Sequence, residues 1–200
     1  MQDDGLYAAL VRRGMTRRSF LQFSAAMAAA LALPVTFAPR IARAIETAKR
    51  TPVIWVRGQA CGGDTEAFLR SSDPTTVALL LDVLAVDYHD SLLAVAGADA
   101  ELARTSAMDL YPDGYLAIVE GAVPSGASGA YCMTAGRPVA DIVREVCAGA
   151  IATIAVGSCA CDGGAPAAGS NTTQAAGVRS LAGGKYMALP GCPVNPVAVR

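Results

Sequence analysis

Charge is scarce in this 200-residue chain, and what there is cancels: 16 Lys and Arg stand against 17 Asp and Glu, a formal charge of -1. That balance gives no electrostatic footing for nucleic acid or for an anionic surface. Histidine is almost missing. The single one, His89, excludes metal sites built from several imidazoles, and its neighbours Asp87 and Asp90 mark it as a surface-turn residue. Also missing near the N-terminus is an unbroken apolar stretch long enough to span a bilayer. The Ala-rich run at 23–37 is short and only mildly hydrophobic; Gln22 precedes it, and Ser24 and Pro34 interrupt it. What the chain does have is 53% hydrophobic residues, enough for a buried core, and 20 glycines, which imply many tight turns.

Met15-Thr16-Arg17-Arg18-Ser19-Phe20-Leu21 sets paired arginines directly before that apolar run, and the run ends near Ala42-Arg43-Ala44, a small-x-small site. A basic region, an apolar region and a small-residue cleavage site are the parts of an export signal. The twin arginine points to the twin-arginine route and its export machinery. Residues 1–44 are therefore read as a signal peptide and 45–200 as the exported domain, with a mature chain beginning at Ile45. This route carries proteins already folded, often because a cofactor is inserted first. An oxidising exterior alone would instead favour disulfides.

Along 45–200, short β-branched and aromatic runs alternate with helical spacing. Strands are expected at 52–56, 83–88, 115–120, 150–156 and 186–189. Helices are expected at 65–81, at 99–108, at 139–148 and around 174–181. The first of these breaks at Ser72-Asp73-Pro74, with Asp73 capping its second piece. Pro112-Asp113-Gly114 reads as a turn, and the Gly- and Ser-rich stretch 123–137 as a loop or hairpin. Strands of this length between helices predict an α/β fold with an open, doubly wound, flavodoxin-like parallel sheet. Right-handed crossovers place every strand-to-helix loop on one edge of such a sheet.

Three cysteines occupy equivalent places: Cys61 after the first strand, Cys159 after the fourth and Cys192 after the last, each in a Gly-containing loop. The carboxyl ends of the strands near the switch point form the ligand crevice of a doubly wound sheet. Residues far apart in sequence then meet in one pocket, and thiolates from three strand ends suggest a metal cluster. An iron–sulfur cubane needs four protein ligands. At the C-x-x-C step from Cys61 stands Asp64, so Cys61, Asp64, Cys159 and Cys192 form a three-thiolate, one-carboxylate candidate site. The alternative makes Asp64 a helix N-cap, with the fourth iron bound by water or another residue. Cys132 and Cys147 read as small core residues, and Cys161 lies too close to Cys159 to share one cluster easily. Glu66 and Glu120 fall near the crevice, as ligands of hydrogen bonds or as solvated carboxylates.

The chain resembles the small subunits of nickel–iron hydrogenases. The resemblance is carried by Pro52-Val53-Ile54-Trp55, by Gly58-Gln59-Ala60-Cys61-Gly62-Gly63-Asp64-Thr65-Glu66, by Val119-Glu120-Gly121-Ala122-Val123-Pro124, by Gly136-Arg137-Pro138, by Gly157-Ser158-Cys159-Ala160 with Gly163-Gly164, and by Pro190-Gly191-Cys192-Pro193, in the family's order. It implies that Cys61, Cys159 and Cys192 hold a proximal [4Fe–4S] cluster beside the nickel–iron centre of a partner large subunit. The implied reaction is reversible oxidation of dihydrogen. The chain would pass electrons onward to a membrane cytochrome or another acceptor, on the periplasmic side, and perform no bond-breaking itself. Most members have cysteine where Asp64 stands; an aspartate ligand is known in a subgroup regarded as relatively oxygen-insensitive. The two extra cysteines of oxygen-tolerant members correspond to Gly63 and Gly164 here. The family's C-terminal domain, with medial and distal clusters, has no counterpart in this sequence. Two other readings remain open: a related cluster subunit of a quinone-reducing respiratory complex, and a metal-free, disulfide-bonded exported binding protein.

Overall fold

The computed structural model describes residues 16–30, 34–47, 50–112 and 114–196. They fall into two compact units, residues 1–50 with 77–85, and residues 51–76 with 86–200.

In the first unit, helix α1 (Arg17–Ala30) opens on Thr16, whose Oγ1 accepts the Ser19 N–H at 3.1 Å. This is the N-cap bond that a threonine supplies to an otherwise unpaired amide. A single 3-10 turn, Val35–Phe37, leads into α2 (Ala38–Thr47), which runs through the expected cleavage site. Phe20, Ala28 and Ile41 are buried, and the Ser24 hydroxyl is turned back onto the Phe20 carbonyl at 3.0 Å. Among the described residues no helix is long and apolar enough to cross a membrane.

The second unit is built on a sheet of β1 (Thr51–Arg57), β2 (Leu84–His89), β3 (Tyr115–Glu120), β7 (Ala150–Val156) and β9 (Lys185–Leu189), in the order β2-β1-β3-β7-β9. The pairs β1/β3, β3/β7 and β7/β9 are parallel. Counting only these strands, the order is 2-1-3-4-5, the flavodoxin-like arrangement. Ile54 and Val56 share one face with Ala117, Val119 and Ala155, where Val139, Ile142, Val143 and Val146 of α5 (Val139–Ala148) cover them. Each such fully buried aliphatic side chain contributes about 1.5–3 kcal/mol. On the opposite face Trp55 stacks with Phe68 and His89, at ring-centroid distances of 5.5 and 5.0 Å.

Several expectations are corrected. The helix expected at 65–81 does break at 72–74, as expected, but its first piece is α3 (Gly63–Leu69) and its second only one helical turn at Thr76–Ala78 and a π-type turn at Leu79–Val83, after a cis Asp73–Pro74 bond. The next helix, α4, covers Ala98–Leu110. Asp113 of the expected turn lies outside the described residues, while Gly114 donates to the Tyr111 carbonyl at 3.1 Å. The helix expected around 174–181 is absent. Instead β8 (Ala175–Ala176) pairs antiparallel with β4 (Val123–Pro124), and Val178–Ser180 forms a 3-10 turn. The loop at 123–137 does contain a hairpin, β5 (Met133–Thr134) with β6 (Arg137–Pro138).

Candidate metal centre

The loop after β1 is fastened to the loop after β3 by backbone bonds. Gly58 N–H donates to the Glu120 carbonyl at 2.8 Å, and Gln59 exchanges N–H bonds with Ala122 at 2.8 and 3.2 Å. A side chain at Gly58 would strike the Ala122 carbonyl, so the two chains touch only because residue 58 is glycine. Gly62, at φ +83°, then turns the chain into α3. Cys61 sits exposed on this turn, and its Sγ accepts the Gly63 N–H at 3.4 Å.

The other thiols come from the far strands. After β7, Gly157 at φ +83° opens α6 (Gly157–Asp162), which carries Cys159. After β9 comes Cys192, exposed, joined to Pro193 by a cis bond. The last two loops are tied reciprocally: Ser158 N–H donates to the Gly191 carbonyl at 2.7 Å, and Gly191 N–H to Ser158 Oγ at 3.3 Å. The third side meets them through bare backbone. A Cβ placed on Gly63 would lie 3.2 Å from Cys61 Sγ and 3.5 Å from Pro193 Cβ, and one on Gly164 would press on Cys159 Sγ at 2.9 Å.

Asp64 lies at the junction of all three loops, only 8% exposed. Its Oδ1 accepts the Val194 N–H at 2.7 Å, and its carboxylate lies against Gly157, where any side chain would collide with it. It is not the N-cap: that position belongs to Gly62, and no side-chain cap bond forms there. Burial pushes the Cys159 thiol up in pKa. The nearby Cys192, Asp64 and Cys61 add to that rise, against a hydrogen bond from the Ala165 backbone. The sequence-picked Cys61, Asp64, Cys159 and Cys192 therefore gather at one edge of the sheet.

Among the described residues, no three Cys, His, Asp or Glu side chains close on one point as ligands of a single ion would. The arrangement is wider. Four donors, three of them thiols, on glycine-lined loops match the ligand count that a [4Fe–4S] cubane requires.

All six cysteines are free thiols. Cys147 and Cys132 belong to the core or pack against it, and Cys161 points back to the sheet, its thiol 3.5 Å from the Ala155 carbonyl. Glu66 is paired with Arg70 at 3.7 Å on an exposed flank. His89 requires correction: it is no surface-turn residue but 1% exposed. Its Nδ1 accepts the Ser91 N–H at 3.1 Å, which leaves the proton on Nε2, 3.2 Å from Thr65 Oγ1. The Thr65 hydroxyl in turn donates to Glu120 Oε2. Glu120, 1% exposed at the end of β3, thus receives a side-chain bond and is no solvated carboxylate. Thr65 was not singled out from the sequence; its place beside Asp64 in the first turn of α3 was the one available signal.

Residues 61–200 match the family described as NADH ubiquinone oxidoreductase, 20 Kd subunit. The chain belongs to that family. Within it, the chain is of the nickel–iron hydrogenase small-subunit kind. It is 39% identical over 184 residues to the Hydrogenase-2 small chain of Escherichia coli (strain K12), covering 92% of this chain and 50% of that one. It is 38% identical over 188 residues to the periplasmic [NiFe] hydrogenase small subunit of Solidesulfovibrio fructosivorans, covering 94% and 60%. Among solved structures, the reduced, active Ni-Fe-Se hydrogenase from Desulfomicrobium baculatum superposes with a TM-score of 0.72 at 31% identity, over 74% of this chain and 58% of that one. The chain thus spans roughly half the length of the curated relatives it matches. Residues 14–34 match the twin-arginine translocation pathway signal, and this family member is exported to the periplasm by that route.

Proposed function

We propose that this chain is the electron-transfer subunit of a nickel–iron hydrogenase, with Cys61, Asp64, Cys159 and Cys192 holding a proximal [4Fe–4S] cluster. The observation that carries this reading is the meeting of those four side chains where the loops after β1, β7 and β9 touch. A bound cluster supplies one-electron storage at potentials set by its ligands and its burial. The chain's own residues do the rest. Three thiolates and the Asp64 carboxylate bind, and the Gly63 N–H aimed at Cys61 Sγ offsets negative charge on that sulfur. Gly63 and Gly164 keep backbone close to Cys61 and Cys159, which narrows the space open to water. On this reading a partner large subunit holds the nickel–iron centre where dihydrogen is cleaved reversibly. Electrons then pass through this chain to a membrane cytochrome or another acceptor.

The family by itself would equally fit a quinone-reducing complex. The export signal and the hydrogenase small chains at 38–39% identity favour the hydrogenase reading. Anaerobic co-purification with the large subunit, followed by iron and acid-labile sulfide analysis, tests it. Wild type and Cys161→Ser are expected to retain iron and sulfide, whereas Cys159→Ser and Cys192→Ser lose most of both. An iron-free wild-type complex, or full iron in both of the latter variants, would sink the proposal.

A further inference from the structure

Asp64 meets two demands at once. Oδ1 takes the N–H of Val194, a residue 1% exposed, two positions past Cys192 and just after the cis Cys192–Pro193 bond. An N–H bond to an ionised carboxylate is about twice as strong as a neutral one. Left unpaired, a buried backbone N–H carries a desolvation cost instead. The carboxylate's second oxygen is left over, and packing against Gly157 limits how it can turn. A thiolate has one donor atom and accepts hydrogen bonds weakly, so cysteine at position 64 would have nothing to spare for Val194.

We propose that Asp64 is a latch as well as a ligand: its bond to Val194 fixes the Cys192 loop onto α3 before iron is present and preforms the cluster pocket. The pocket's purpose rests on the ligand reading above, but the latch is a protein–protein bond and is tested without iron. The two roles separate chemically. Asp64→Asn keeps an acceptor oxygen for Val194 but offers a poor iron ligand. Asp64→Cys keeps a ligand and loses the acceptor.

Amide hydrogen exchange of the full chain, read at Val194 after anaerobic removal of the cluster, decides the matter. Protection at Val194 is expected to be largely kept in Asp64→Asn, reduced only severalfold because its acceptor is neutral, and to fall by about tenfold to a hundredfold in Asp64→Cys and Asp64→Ala. Amides of β3 report whether each variant is folded; if Asp64→Ala is not, the Asn and Cys variants carry the comparison. Equal exchange at Val194 in wild type and Asp64→Cys, with β3 still protected, overturns the latch, as does a loss of protection in Asp64→Asn as deep as in Asp64→Cys. Failure of the ligand reading shows elsewhere, as a cluster-loaded Asp64→Asn protein with unchanged iron content and EPR signature.

Discussion

Acidification should act on this fold through His89. Burial lowers its pKa from 6.5 to about 4; Asp90 opposes that shift and Arg57 reinforces it. The hydrogen bonds agree with a neutral ring, since Nδ1 is already occupied as an acceptor of the Ser91 N–H. The unfolded chain therefore takes up a proton near pH 6.5, while the folded protein resists until about pH 4. Between those values the unfolded state binds more protons, so stability falls as pH drops through the window and changes little above it. At about 1.4 kcal/mol per pKa unit, the shift is worth about 3 kcal/mol, a large part of a typical domain's stability. The single tryptophan, Trp55, stacks on the His89 ring at 5.0 Å and supplies the fluorescence signal for urea unfolding. Compared with His89→Gln, which leaves an amide N–H for Thr65 but does not titrate, wild type should lose about 3 kcal/mol more between pH 7 and pH 4. Parallel curves for the two proteins would refute the assignment of a buried, neutral imidazole.

Two further outcomes follow from single contacts. Gly157→Ala places a side chain at φ +83° and against the Asp64 carboxylate; it should cost about 1–3 kcal/mol from backbone strain alone and lower iron retention, measured by thermal unfolding and metal analysis. Tyr115→Phe removes the buried bond from the tyrosine hydroxyl to the Val146 carbonyl at 2.7 Å; denaturant titration should show a loss of about 1–3 kcal/mol with iron content unchanged, because the contact lies between β3 and α5, away from the proposed cluster ligands.

What could be read from the sequence was whatever local pattern decides. The run Val53-Ile54-Trp55-Val56 is buried on both faces, as its lack of alternation requires of a central parallel strand. The spacing of Cys61, Cys159 and Cys192 after strands was enough to bring them to one edge. What could not be read was decided by distant partners. The stretch around 174–181 has helical composition, yet Ala175 and Ala176 are captured by Val123 and Pro124. Gly177 lies so close to the Cys161 carbonyl that a side chain there would collide with it. His89 looked exposed between two aspartates, but its ring is covered by Trp55 and held by Thr65, contacts that no local pattern announces. For Asp64, the cap reading fails because Gly62 takes the cap position, and its bond to the Val194 amide, more than a hundred residues away, has no local signature.

Synthesis runs from the N-terminus, so the turn bearing Cys61 emerges from the ribosome early, while Cys192 follows β9, the last strand of the sheet. On the proposed ligand set, a nascent chain short of that strand carries three of the four donors but not the enclosed set, because the Ser158–Gly191 and Asp64–Val194 ties do not yet exist. If those four side chains hold the cluster, as proposed, loading waits for the finished domain, the same form that a pathway for folded cargo accepts, and the order of residues along the gene sets the timing of metal insertion.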